Sequence, residues 1–316
     1  MTPTNAARCR LLLAAALAAA AAAGCARSGR GRWAPPSPPG AVPAASRCGF
    51  ARQGFTTPPF DWTGERAPLV RRGVPGYPMS RLVLDAKDSR GGTTEFLLDT
   101  GTSCVLLAHT APAARDATLG IERLEILANS GSTSFIGRDA VVPAIDLGGL
   151  KGTNVPVFVL ERSHDLRSPA NVLGMVLMTG LALVHEPGDA WSLVRADRLA
   201  PASTGVRTVR QEAPGLPVVR LAGPAGEEVF ALVDTGTPTS LFAAGSAPGR
   251  YRLADTEGQT ILDVRALHQA PWGPLRAGGR LITVWIGLDA LESRPWTMDF
   301  STGAWTFPVT PAEPTR

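Results

Sequence analysis

Short apolar runs rich in Val, Leu and Ile, broken by Gly, Pro, Asp and Ser, follow one another along most of this chain. Such runs, bounded by turn formers and without a sustained helical period, predict strands and an all-β protein. Ser80-Arg81-Leu82-Val83-Leu84-Asp85 reads as a strand, Asp88-Ser89-Arg90-Gly91-Gly92 as a turn, and Phe96-Leu97-Leu98 as the next strand. Ile126 to Phe135 reads as two strands around the polar turn Asn129-Ser130-Gly131-Ser132. Val141 to Leu147 and Val155 to Leu160 read as two more, and a hairpin from Leu181 to Val194 turns at Pro187-Gly188. Folding is expected to begin near Pro68.

The same order then returns. Leu216 to Leu221 enters, Gly223-Pro224-Ala225-Gly226 turns, and Val229 to Val233 follows. Trp285-Ile286-Gly287 matches Val172-Leu173-Gly174, and the closing hairpin Trp296 to Val309 repeats Ala190-Trp191 as Ala304-Trp305. This internal duplication predicts two lobes, over 67–199 and 205–310. Gly174 lies 75 residues after Asp99 but Gly287 only 53 after Asp234, so the first half carries 22 extra residues. A longer hairpin there would fold over a site as a lid, with Asn129, Ser130, Gly131 and Ser132 at its tip, although any hairpin turn has this composition.

At 316 residues and 44% hydrophobic, the chain has enough apolar material for two cores. The formal charge of +4 rests on arginines spread along the chain, with no basic helix and no basic run interleaved with aromatics, so no nucleic-acid partner is expected. Arg8 and Arg10 precede an apolar run over 11–23, which at 13 residues is too short to span a bilayer and reads as an export signal. Residues 26–66 are rich in Pro, Gly, Ser and Ala and read as a tether. With the signal set aside, Cys48 and Cys104 remain: a pair in an oxidising compartment, or two unpaired small residues. No CxxC is present, and His109, His164, His185 and His268 are scattered and read as surface or loop residues, so neither a metal nor a cofactor is expected. Trp191 and Trp305 read as packing residues.

The chemistry rests on a motif. Phe96-Leu97-Leu98 ends in Asp99-Thr100-Gly101-Thr102, and Ala231-Leu232-Val233 ends in Asp234-Thr235-Gly236-Thr237. One such tripeptide is an ordinary turn. Two copies in matching contexts read as two carboxylates brought together to work on one water, each followed by a glycine open to backbone angles closed to other residues.

Asp-Thr-Gly-Thr after apolar residues, followed at a distance by Val172-Leu173-Gly174 or Trp285-Ile286-Gly287, resembles the paired motif of the aspartic peptidases. The short lobes are similar to the retropepsin-like bacterial members, and the single-chain duplication to the pepsin-like ones. The resemblance spans about Pro68 to Pro308. It implies two β-barrel-like lobes with the site in the cleft between them, and an endopeptidase acting on extended polypeptide through Asp99 and Asp234. It further implies that Thr100 and Thr235 cross-link the two loops, Thr102 and Thr237 hydrogen-bond the carboxylates, Gly101 and Gly236 allow close approach, and Gly174 and Gly287 lie beneath the site. No tyrosine stands at the lid tip to match pepsin's flap. That departure favours the alternative, a catalytically inactive member of the same fold that binds a peptide or a partner protein in the envelope. Separately, Ala22-Ala23-Gly24-Cys25 resembles the lipobox of bacterial lipoproteins, which implies lipidation at Cys25 and a membrane anchor. Ala22 stands where leucine is usual, so plain secretion is the alternative. Ala26 is not the aspartate that retains such lipoproteins at the inner membrane. The chain is thus expected to be an exported, envelope-facing monomer.

Overall fold

The computed structural model describes residues 60–74, 79–120, 124–128, 133–161, 171–199, 206–212 and 215–309. The first lobe holds β1 (Asp61–Gly64), β2 (Arg66–Arg72), β3 (Arg81–Lys87), β4 (Thr93–Leu98), β5 (Leu106–Ala108), β6 (Thr118–Leu119), β7 (Leu124–Ala128), β8 (Thr133–Asp146), β9 (Leu150–Leu160), β10 (Val172–Leu173), β11 (Leu181–Glu186) and β12 (Ala190–Arg195). The second holds β13 (Val206–Arg210), β14 (Val218–Ala222), β15 (Glu228–Val233), β16 (Leu241–Phe242), β17 (Gly249–Ala254), β18 (Thr260–Ala266), β19 (His268–Gln269), β20 (Leu275–Ala277), β21 (Arg280–Ile286), β22 (Trp296–Asp299) and β23 (Ala304–Pro308). One α-helical turn, Leu288–Leu291, follows β21.

Both lobes are built around one crossing. β4 runs parallel to β10, with Leu98 beside Leu173, and β15 runs parallel to β21, with Val233 beside Ile286. β4 and β15 share a burial pattern, exposed at the first residue and fully buried over the last three. Their ends are flanked by sheet on both sides, which is why Phe96-Leu97-Leu98 and Ala231-Leu232-Val233 are unbroken apolar runs instead of alternating ones.

The lobes join through their closing hairpins. β11 pairs antiparallel with β22, placing Leu183 opposite Met298, in a six-strand layer of order β2-β12-β11-β22-β23-β13. This layer is symmetric about the β11/β22 seam. Trp191, Trp296, Trp305 and Phe307 form a ladder of ring contacts along it, with centroids 4.7–5.5 Å apart. Trp191 and Trp305 are therefore buried packing residues.

Symmetry fails beyond the layer. β2 bends out of it to pair with β3, setting Arg72 against Arg81, whereas β13 stops at Arg210 and reaches β14 through the bond from the Glu212 amide to the Val218 carbonyl. The extra length of the first lobe lies largely in β8 and β9, 14 and 11 residues long, against 6 and 7 for β17 and β18.

Three readings need correction. The tether ends earlier than residue 66: β1 pairs with β9, and Trp62 is buried with its Nε1 donating to the Leu177 carbonyl at 2.9 Å. The strand read at Phe135 and the one read over 141–147 are a single strand, β8. It runs through Gly137, where an added Cβ would lie 2.2 Å from the Val159 carbonyl oxygen, and through Pro143, whose missing N–H does not shift the register between Val142/Val155 and Ala144/Thr153. His185 is neither surface nor loop. It is 3% exposed on β11, stacked 4.4 Å from Trp191, with Nδ1 at 2.9 Å from the Arg294 carbonyl. The lid tip at Asn129, Ser130, Gly131 and Ser132, the export signal and Cys25 lie outside the described residues.

Candidate active site

Asp99 and Asp234 stand at corresponding points, each the first residue after the strand that crosses its lobe. The Asp99 amide donates to the Leu173 carbonyl at 3.1 Å, and the Asp234 amide to the Ile286 carbonyl at 3.0 Å. Each loop then turns back on itself. The Gly101 amide donates to Asp99 Oδ1 at 2.9 Å and Thr102 Oγ1 to Asp99 Oδ2 at 2.7 Å; the Gly236 amide and Thr237 Oγ1 serve Asp234 at 2.9 and 2.8 Å. Every carboxylate oxygen thereby has a donor from its own loop.

Four further bonds tie the loops together. Thr100 Oγ1 donates to the Val233 carbonyl at 2.7 Å and accepts from the Thr235 amide at 3.1 Å. Thr235 Oγ1 donates to the Leu98 carbonyl at 3.0 Å and accepts from the Thr100 amide at 3.1 Å. All of these groups are buried, so the exchange both satisfies backbone polar groups and fixes the spacing of the two carboxyls.

That spacing is short. A methyl group added at Gly101 would lie 2.7 Å from the Asp234 carboxyl carbon, and one at Gly236 would lie 2.5 Å from that of Asp99. Each carboxyl thus leans over the other loop's glycine, close enough that the charge of Asp234 bears on Asp99. Neither glycine has a positive φ. The sequence argument from special backbone angles is therefore wrong here; what the site uses is the missing side chain.

Gly174 and Gly287 sit under the loops. A Cβ at Gly174 would fall 2.1 Å from the Cys104 carbonyl oxygen, and one at Gly287 2.5 Å from the Thr239 carbonyl carbon. The amides that follow them complete the support, Met175 to the Thr102 carbonyl at 2.7 Å and Leu288 to the Thr237 carbonyl at 2.9 Å.

Burial dominates the electrostatics. Asp99 is 1% exposed and Asp234 0%. Desolvation, and next the charge of Asp234, push the Asp99 carboxyl well above the usual carboxylate range, against the hydrogen bonds from Thr102 and Gly101. Desolvation also raises Asp234, opposed by hydrogen bonds from Thr237, Asp99 and Gly236 and by the charge of Arg81. Two touching carboxyls titrate as one unit, and this unit holds one proton far more firmly than a free carboxylate would.

Other parts of the site were not visible in the sequence. Ser240 Oγ donates to Asp289 Oδ1 at 2.7 Å and accepts from the Gly287 amide at 3.1 Å, bracing the second loop. These residues are 49 positions apart, so no local motif announces them. Cys104, five residues after Asp99, is buried and disulfide-bonded. It is the one cysteine among the described residues, so its partner lies outside them. Among the described residues, no group of three or more His, Cys, Asp and Glu side chains could hold a metal ion.

Comparison with known proteins agrees with this geometry. A family model described as aspartyl protease matches residues 88–177, a span that includes Asp99 and Gly174 and stops well before Asp234. The fold is similar to that of the aspartic proteinase from Irpex lacteus, with a TM-score of 0.50, 16% identity, and coverage of 80% of this chain and 98% of that one. No curated protein matched the sequence. At that identity the likeness shows the fold: a nearly all-β, two-lobed molecule of the aspartic-proteinase type.

Proposed function

We propose that this protein is an aspartic endopeptidase that hydrolyses extended polypeptides with Asp99 and Asp234. The observation that carries the reading is the mutual one: two buried carboxyls from duplicated loops, each lying over the other's glycine. A pair sharing one proton supplies a base and an acid together. The ionised carboxyl takes a proton from a water whose oxygen attacks the scissile carbonyl carbon, while the protonated carboxyl hydrogen-bonds the carbonyl oxygen. When the tetrahedral adduct collapses, the carbon–nitrogen bond breaks and the amine leaves with a proton returned from the pair. A cleft between two sheets favours an extended substrate, whose backbone pairs as a strand does.

The protein acts outside the cytosol, tethered through Cys25. The disulfide at Cys104 supports an oxidising compartment, and the arginine-flanked apolar run over 11–23 supports export.

The test is cleavage of a denatured protein across acidic to neutral pH, with and without a statine-type inhibitor. Parent protein should cut and be inhibited, and Asp99→Asn and Asp234→Asn should not cut. Cleavage by either variant at the parent's rate would end the proposal.

A further inference from the structure

Arg81, the first residue of β3, is among the largest fully buried side chains in the molecule, at 0% exposure. An arginine rarely sits there, because taking its charge out of water is strongly unfavourable unless the charge is answered. The Met79 and Ser80 carbonyls accept from Nη1 at 3.0 and 3.2 Å, which answers part of it.

Register places Arg81 relative to the site. β3 pairs antiparallel with β4, Val83 against Leu97, so continuing the ladder by two residues brings Arg81 level with Asp99, on the strand face shared by Val83 and Leu97. Val83, Leu97 and Val74 form a small apolar cluster of their own, which keeps that face dry. The Asp234 carboxyl lies over Gly101, two residues after Asp99 in the first lobe's loop.

The duplication provides an internal control. In the second lobe Val218 pairs with Leu232, and the same extension brings Leu216 level with Asp234. Leu216 is buried too, at 5% exposure. One lobe therefore puts a cation at the register position level with its aspartate where the other puts a leucine. The other charged groups on the flanking strands are engaged elsewhere: Arg72 of β2 with Asp85 and Glu95, at 2.7 and 2.6 Å, and Arg71 with Glu292 at 3.1 Å.

We propose that Arg81 is a positioning residue for the dyad's shared proton: its buried charge, supplied by the first lobe alone, favours the singly ionised pair and sets the pH at which that pair forms. The inference rests on the peptidase reading only for its effect on rate. A cation makes each deprotonation of the pair easier, so removing it raises both apparent pKa values. Its action on Asp234, opposing burial, has the required sign.

The test uses the full chain with Arg81→Leu, which copies the second lobe, Arg81→Met as a second uncharged variant, and Arg81→Lys, which keeps the charge. Two readouts are taken: the pH profile of kcat/KM on a denatured protein, and the ionisation of carbon-13-labelled aspartate carboxyls by infrared difference spectroscopy. In Arg81→Leu or Arg81→Met both limbs of the profile, and the infrared midpoint of the buried carboxyls, should move to higher pH by about one unit or more, while Arg81→Lys stays near the parent. Loss of rate at every pH with neither limb nor midpoint moved would make Arg81 merely structural and overturn the proposal. Failure of both uncharged variants to fold would overturn it too, since a charge that only sets a titration is dispensable for folding. Should the parent cleave nothing, the peptidase reading falls, and the infrared midpoints still decide the role of Arg81.

Discussion

Thr100→Val removes one hydroxyl from the exchange between the loops and leaves the shape nearly unchanged. Two buried backbone groups lose their partner, the Val233 carbonyl and the Thr235 amide. At about 1–3 kcal/mol for each orphaned buried group, the variant should lose about 2–6 kcal/mol of stability. For a two-lobed unit of this size each kcal/mol lowers Tm by about 2–4 °C, so a fall of about 4–24 °C is expected by calorimetry. Thr235→Val orphans the Leu98 carbonyl and the Thr100 amide and should cost a similar amount. The double variant should lose less than the sum, because the first substitution already loosens the seam that the second would break. Thr100→Ser keeps the hydroxyl and should retain most of the stability. Cleavage rate, measured alongside, should fall with the stability loss in Thr100→Val and recover in Thr100→Ser. A Thr100→Val melting within about one degree of the parent would refute the reasoning, since it would mean that these groups find other partners at no cost.

Two other outcomes follow from the same site. Because the dyad's folded pKa is raised, its contribution to stability is fully present below the unfolded aspartate value and is lost as pH rises through the folded one; Asp99→Asn should therefore be more stable than the parent at pH 7, with the gap closing toward pH 3, as read from urea midpoints across that range. Reduction of the Cys104 disulfide should lower stability by about 2–4 kcal/mol, and peptide mapping under non-reducing conditions should recover Cys104 joined to Cys48; a peptide carrying Cys104 as a free thiol would contradict this.

What could be read from the chain, and what could not, divides along the line between local and distant partners. Asp99 and Asp234 were legible because each ends an apolar run and the whole context recurs, so two weak local signals support one another. Trp62 was not: it lies in a stretch that reads as tether, and its burial depends on distant partners, β9 at Gly152 and the Leu177 carbonyl 115 residues on. His185 is buried for the same reason: Trp191 faces it within its own hairpin, but Trp296 and the Arg294 carbonyl meet it only after the two hairpins pair. Arg81 opens a strand, a place where an arginine usually reaches solvent. Its burial is decided by β2, paired with it at Arg72, and by the Met79 and Ser80 carbonyls before it. For Gly101 and Gly236 the expectation of special backbone angles fails and that of close approach holds: neither has a positive φ, and each lies against the other loop's carboxyl.

The seam between β11 and β22 joins equivalent hairpins about a twofold relation, the kind of isologous contact that two identical molecules make when they associate. In a true pair of copies any change near one carboxylate would have to appear at both. Joining the halves in one polypeptide lifts that constraint, and the two halves differ accordingly: one has a long β8/β9 arm and a buried guanidinium, the other a short arm and an aliphatic side chain. Chemical inequality between two acids of identical motif is available to a fused molecule and denied to a symmetric one.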